Sequence, residues 1–145
     1  MKFEVIIERH YPHSIADVWD GLTTNEALSD WLMETSNFKA EVGTRFEMTC
    51  VDDDGHLDVY RCKVLQLDPP NLMVWSWVLA GNEEKGHTEV EFRLTATDTG
   101  TQVQLLHRGD RDKEMLERFK AGWPAKLDQL AEVLKHRQGE AGRNS

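Results

Sequence analysis

Apolar and polar positions follow a definite order along this chain. Residues 3 to 9, Phe-Glu-Val-Ile-Ile-Glu-Arg, are rich in β-branched and aromatic types and read as a first strand. Tyr11-Pro12 ends it, because proline brings no N–H to a ladder. Ser14 with Asp17 three residues on has the pattern of a capping box, and Ile15, Val18, Trp19 and Leu22 then share one helical face. Thr24 caps a second short helix whose buried side is Ala27, Leu28, Trp31 and Leu32.

The period then changes to two. Strands are predicted at Arg45 to Cys50, Leu57 to Leu67, Leu72 to Leu79, Thr88 to Thr95 and Thr101 to His107. Turn chemistry separates them: Asp52-Asp53-Asp54-Gly55, Asp68-Pro69-Pro70-Asn71, a soft loop over Ala80 to Gly86, and Asp98-Thr99-Gly100. Serial strand–turn–strand order predicts an antiparallel meander rather than a parallel sheet built from crossovers. From 112 to 137 the period becomes helical, with Leu116, Phe119, Trp123, Leu127, Leu130 and Leu134 in one stripe. Pro124 is expected to kink or restart this helix near Gly122-Trp123. The class is therefore α+β, with one domain over 1–137 and a polar tail over 138–145.

Composition narrows the function. A chain of 145 residues with 39% apolar and 30% charged positions is globular and has one core. The formal charge of −9 repels phosphate backbones and anionic bilayers, so neither nucleic acid nor a membrane is an expected partner. No apolar run reaches the roughly 18 residues of a spanning helix, and Met1-Lys2-Phe3-Glu4-Val5 lacks the start of a secretion signal. Cys50 and Cys62, the only cysteines, are expected on neighbouring strands but out of register. Two reduced thiols fit a cytoplasmic location. No zinc spacing, dinucleotide fingerprint, phosphate loop or nucleophile motif is present, so no metal or cofactor is expected. The acidic runs Asp52-Asp53-Asp54 and Glu83-Glu84 lack calcium-loop spacing and read as solvated turns.

Several short motifs then occur in a fixed sequence: Pro12-x6-Trp19, Leu28-x2-Trp31, Gly43-x2-Phe46, Pro70-x-Leu72 with Trp77, Gly100-Thr101-x-Val103, and Gly122-Trp123-x3-Leu127-x2-Leu130. Together they resemble the family of homologues of the activator of a heat-shock-protein ATPase, within the START-like (SRPBCC) superfamily. The resemblance covers roughly residues 3 to 136. It implies a helix-grip fold, in which a strand, two short helices and six further strands curve around a long C-terminal helix. Relatives in the superfamily bind lipids or other apolar ligands, and some cyclise polyketides. The co-chaperones that name the family carry an additional N-terminal domain, for which this chain leaves no room.

A curved sheet gripping one helix leaves space near the helix that side chains fill or a ligand occupies. Trp31, Phe46, Trp75, Trp77, Phe119 and Trp123 are the expected wall of such a cavity; the competing reading is that these rings fill the interior solidly. His107 shares an expected inward face with Val103 and Leu105, where it would orient a ligand or shuttle a proton. Its competing reading is a half-exposed histidine bonded to backbone at a strand end. Three functions follow in order: a module binding a small apolar or amphipathic ligand, an enzyme of cyclase or hydrolase type using the same pocket, and a co-chaperone-like interaction domain. The expected partners are a small apolar ligand, then a chaperone or a second copy of the chain.

Overall fold

The structure, a computed structural model, describes residues 2–51, 54–81, 83 and 87–143. The elements run β1 (Lys2–Tyr11), α1 (Ile15–Leu22), α2 (Asn25–Trp31), β2 (Glu34–Ser36), β3 (Arg45–Val51), β4 (Leu57–Asp68), β5 (Leu72–Leu79), β6 (Thr88–Thr97), β7 (Gly100–Asp110) and α3 (Lys113–Arg143). The strands form one antiparallel sheet in the order β1-β7-β6-β5-β4-β3-β2. Every neighbour from β2 to β7 is joined by a local turn, as turn chemistry requires. Only the pairing of β1 with β7, Val5 opposite His107, joins the two ends of the chain.

The short helices start where their caps place them. Ser14 Oγ accepts from the Asp17 N–H at 3.2 Å, and Thr24 Oγ1 accepts from the Ala27 N–H at 3.2 Å. These bonds satisfy amides that the first helical turn leaves without partners. Val18, Trp19 and Leu22 of α1, and Ala27, Leu28 and Trp31 of α2, are buried. One face of the sheet closes on α3, whose Phe119, Trp123, Leu127, Leu130 and Leu134 are all buried. Each such side chain contributes about 1.5–3 kcal/mol relative to exposure.

Three sequence expectations change. β2 was not located, because three residues are too few to display a period of two. The last helix does not restart at Pro124; it is one element across it. The missing proline amide deprives the Lys120 carbonyl of its bond, and Lys120 lies on the exposed side, where that carbonyl is open to solvent. The helix also runs on to Arg143 instead of ending at 137. Residues 52 and 53 of the predicted hairpin turn, and 82 and 84–86 of the soft loop, lie outside the described residues.

β1 is tied to α3 by Tyr11, whose buried hydroxyl donates to the Leu127 carbonyl at 2.9 Å. β7 begins directly against that same turn of chain. A Cβ on Gly100 would lie 2.1 Å from the Tyr11 carbonyl oxygen, so only glycine permits the approach.

Candidate functional site

β7 points Val103, Leu105 and His107 inward, and all three are buried. His107 meets α3 in the middle of the aromatic core. Its ring lies 4.0 Å from that of Phe119, between centroids, and 5.5 Å from that of Trp77. The Trp123 Nε1–H donates to His107 Nδ1 at 2.9 Å. An indole nitrogen only donates, so Nδ1 carries the lone pair and the neutral ring holds its proton on Nε2. That proton points to Thr88 Oγ1 at 2.7 Å, and the Thr88 hydroxyl donates onward to the Trp77 carbonyl at 3.2 Å. The network is saturated with the histidine neutral. Burial without a compensating carboxylate pulls its pKa from 6.5 down to about 3.

Beside this network the packing opens. Between α3 and the β4–β5 hairpin lies a cleft of about 120 Å³. Tyr60 and Trp77 form its sheet side, and Leu32 and Met33 its rim, at the turn between α2 and β2. Two ridges of α3 complete it. One is aromatic, Phe119 and Trp123; the other is Arg118, Gly122 and Lys126, spaced by four so that they stack along the helix. Gly122 leaves the opening, because a Cβ built there meets nothing within 4 Å. A cavity of about 150 Å³ holds benzene, so this cleft takes a group near the size of one ring. A wider depression of about 470 Å³ adjoins it across Leu32, Met33 and Lys126, and is also lined by Trp31, Asp30 and Cys50.

The polar edge of the cleft is cationic. Arg118 donates to Asp58 at 2.9 Å, which raises the guanidinium pKa, while Lys126 makes no ion pair among the described residues. Trp77 is buried, and its Nε1–H has no acceptor among the described residues. A buried N–H without a partner is uncommon in a folded chain.

The seven candidate residues therefore separate. Trp77, Phe119 and Trp123 line the cleft, and Trp31 lines the adjoining depression. The Trp31 Nε1–H is already bonded to the Gly21 carbonyl at 2.8 Å. Phe46 and Trp75 pack edge-on at 5.1 Å, away from the cleft, and fill the far side of the core with Phe38. Phe46 also contributes to the floor of a groove of about 490 Å³ on the sheet's outer face, among Arg45, Arg61 and Lys63. His107 sits behind Phe119 and Trp123, where both ring nitrogens are occupied. It is neither half-exposed nor on the cleft wall. Sequence reasoning missed Tyr60, Gly122, Arg118 and Lys126. Gly122 was visible as a motif position and an expected kink, not as an opening, and the two cations looked like the solvated side of an amphipathic helix.

Cys50 and Cys62 pair with Asp58 and Phe46 respectively, so they stand apart along the β3–β4 ladder and remain free thiols. Burial pushes the Cys62 thiol pKa up, making it inert. Among the described residues no group of His, Cys, Asp or Glu is arranged to hold a metal, and no helix is long and apolar enough to cross a membrane. Asp52, Asp53 and Glu84 of the acidic runs lie outside the described residues.

A family model described as activator of Hsp90 ATPase homolog 1-like protein matches residues 12–135. Protein MLL2253 from Mesorhizobium loti is 30% identical, with a TM-score of 0.82 over 92% of this chain and 98% of that one. CalU16 from Micromonospora echinospora is 25% identical, with a TM-score of 0.73 over 97% of this chain and 82% of its own. Protein CV1439 from Chromobacterium violaceum shares the fold at 19% identity, with a TM-score of 0.83 over 90% and 96% of the two chains. A search of curated proteins found no match.

Proposed function

The chain belongs to the activator of Hsp90 ATPase homolog 1-like family, and we propose that it works as a binding module, holding a small apolar or amphipathic ligand in the cleft between sheet and C-terminal helix. The observation that carries this reading is the open position at Gly122, which lines the same cleft as Trp77, Phe119 and Trp123. Dense packing is the rule for protein cores, so an aromatic-walled gap reaching solvent is a departure that a ligand would complete. An enzymatic use of the same cleft has less support. Proton transfer needs a titratable group near neutrality within reach of the reacting atom. The histidine nearest the cleft is spent on its own network, and the lining holds no carboxylate.

The test uses Gly122→Leu. Leucine fills the cleft and is a better helix former than glycine by about 1 kcal/mol, so the variant should fold at least as well. With p-cresol as a one-ring probe, the indole N–H signals of Trp77 and Trp123 should shift on titration of the parent protein and stay fixed in Gly122→Leu. Equal shifts in both proteins would place binding elsewhere and end the proposal.

A further inference from the structure

We infer that the ligand of the cleft carries an anionic head, a carboxylate, held at the edge by Lys126 and Arg118 while its ring or chain lies against Trp77, Phe119 and Trp123; this rests on the cleft being a ligand site at all. Two observations meet there. The protein is formally −9, so a charge-neutral accident would more often put acids than bases beside an opening. Yet the cleft is lined by two cations and no acid, one turn of α3 to either side of the vacant Gly122. Asp58 reaches only one terminal nitrogen of Arg118, leaving other guanidinium donors available, and Lys126 has no ion pair among the described residues.

The arrangement has the polarity of an amphipathic acid. About 120 Å³ accommodates one ring, and Lys126 lines both the cleft and the wider depression beside it, so a ring joined to a carboxylate by a short chain suits the pairing of aromatic wall and cationic edge. Asp30, the one carboxylate of that depression, lies on α2 and not in the cleft, so it repels a head that overshoots Lys126 and favours one that stops there. An uncharged analogue would keep the apolar contacts and lose the charge-assisted bonds, which are roughly twice as strong as neutral ones.

The experiment titrates the full chain with 4-phenylbutanoate and with its uncharged amide, by calorimetry and by the Trp77 indole signal. The acid should bind roughly tenfold or more tightly than the amide at low salt, and the gap should narrow as salt is added. Lys126→Met should bring the acid down toward the amide and leave the amide unchanged. Equal affinity of acid and amide, or an equal effect of Lys126→Met on both, would overturn the anionic head while leaving the cleft as an apolar site. No response of the Trp77 or Trp123 signals to either compound would count against the cleft itself, and the inference would fall with it.

Discussion

Trp123 and His107 are joined by a single hydrogen bond, Nε1–H to Nδ1 at 2.9 Å, and this bond ties the middle of the last helix to the last strand. It determines which ring nitrogen of His107 bears the proton and so orients the rest of the chain through Thr88 to the Trp77 carbonyl. Trp123 thereby serves two surfaces at once, closing the network on one side and walling the cleft on the other.

Trp123→Ala should be severely destabilised, by about 3–5 kcal/mol, through lost burial and the cavity left behind. Trp123→Phe should separate the two contributions. It retains most of the apolar area but strips Nδ1 of its donor, for a loss of about 1–3 kcal/mol. Chemical denaturation of both variants measures this, and an unchanged midpoint for Trp123→Ala would mean that the helix does not lie in the grip of the sheet.

The network makes stability depend on pH. The folded pKa of His107 is about 3, below the unfolded value of 6.5, so the unfolded chain takes up the proton first as pH falls. The contribution of His107 is complete above about pH 6.5 and is lost on going down toward 3, by up to about 1.4 kcal/mol per pH unit. In His107→Gln this part of the slope should vanish. Parallel pH–stability curves for the two proteins between pH 4 and 6.5 would contradict the assignment, as would an Nδ1-protonated ring in the nitrogen spectrum of the parent.

Gly109 stands opposite Thr88 in the β6–β7 ladder. A Cβ there would lie 2.7 Å from Thr88 Cγ2 and 2.9 Å from its Cα, and the latter is backbone that cannot step aside. Gly109→Ala should therefore push Thr88 away from His107 and cost about 1–3 kcal/mol, as overpacking does. A displaced or fast-exchanging His107 Nε2–H signal would report the same event. A variant as stable as the parent, with that signal unmoved, would show that the strands separate without strain.

Tyr11→Phe removes only the hydroxyl that caps the Leu127 carbonyl. The expected loss is about 0.5–1.5 kcal/mol, since the carbonyl keeps its place in the helix. The cleft lies nearer the start of α3, so probe binding should be unaffected; a large fall in binding would mean that Tyr11 sets the position of the whole helix.

Local chemistry determined most of the architecture before any contact was known. The caps at Ser14 and Thr24, the Asp-, Gly- and Pro-rich turns and the change of period from two to 3.6 each depend on neighbours within a few residues. The elements and the meander were therefore legible. The inward face of β7 followed from alternation alone. The use made of that face did not. The partners of His107 lie 16 and 19 residues away in the chain, at Trp123 and Thr88, and only packing brings them within bonding distance. Packing turned an expected ligand or proton carrier into a neutral structural group. It also left a gap where Gly122 has no side chain, and an absence has no period by which a sequence could announce it. The two cations beside that gap occupy helix positions that solvated residues also occupy. What sets them apart is the aromatic wall beside them, where packing brings Tyr60 and Trp77, from strands far earlier in the chain, against Phe119 and Trp123 of the helix.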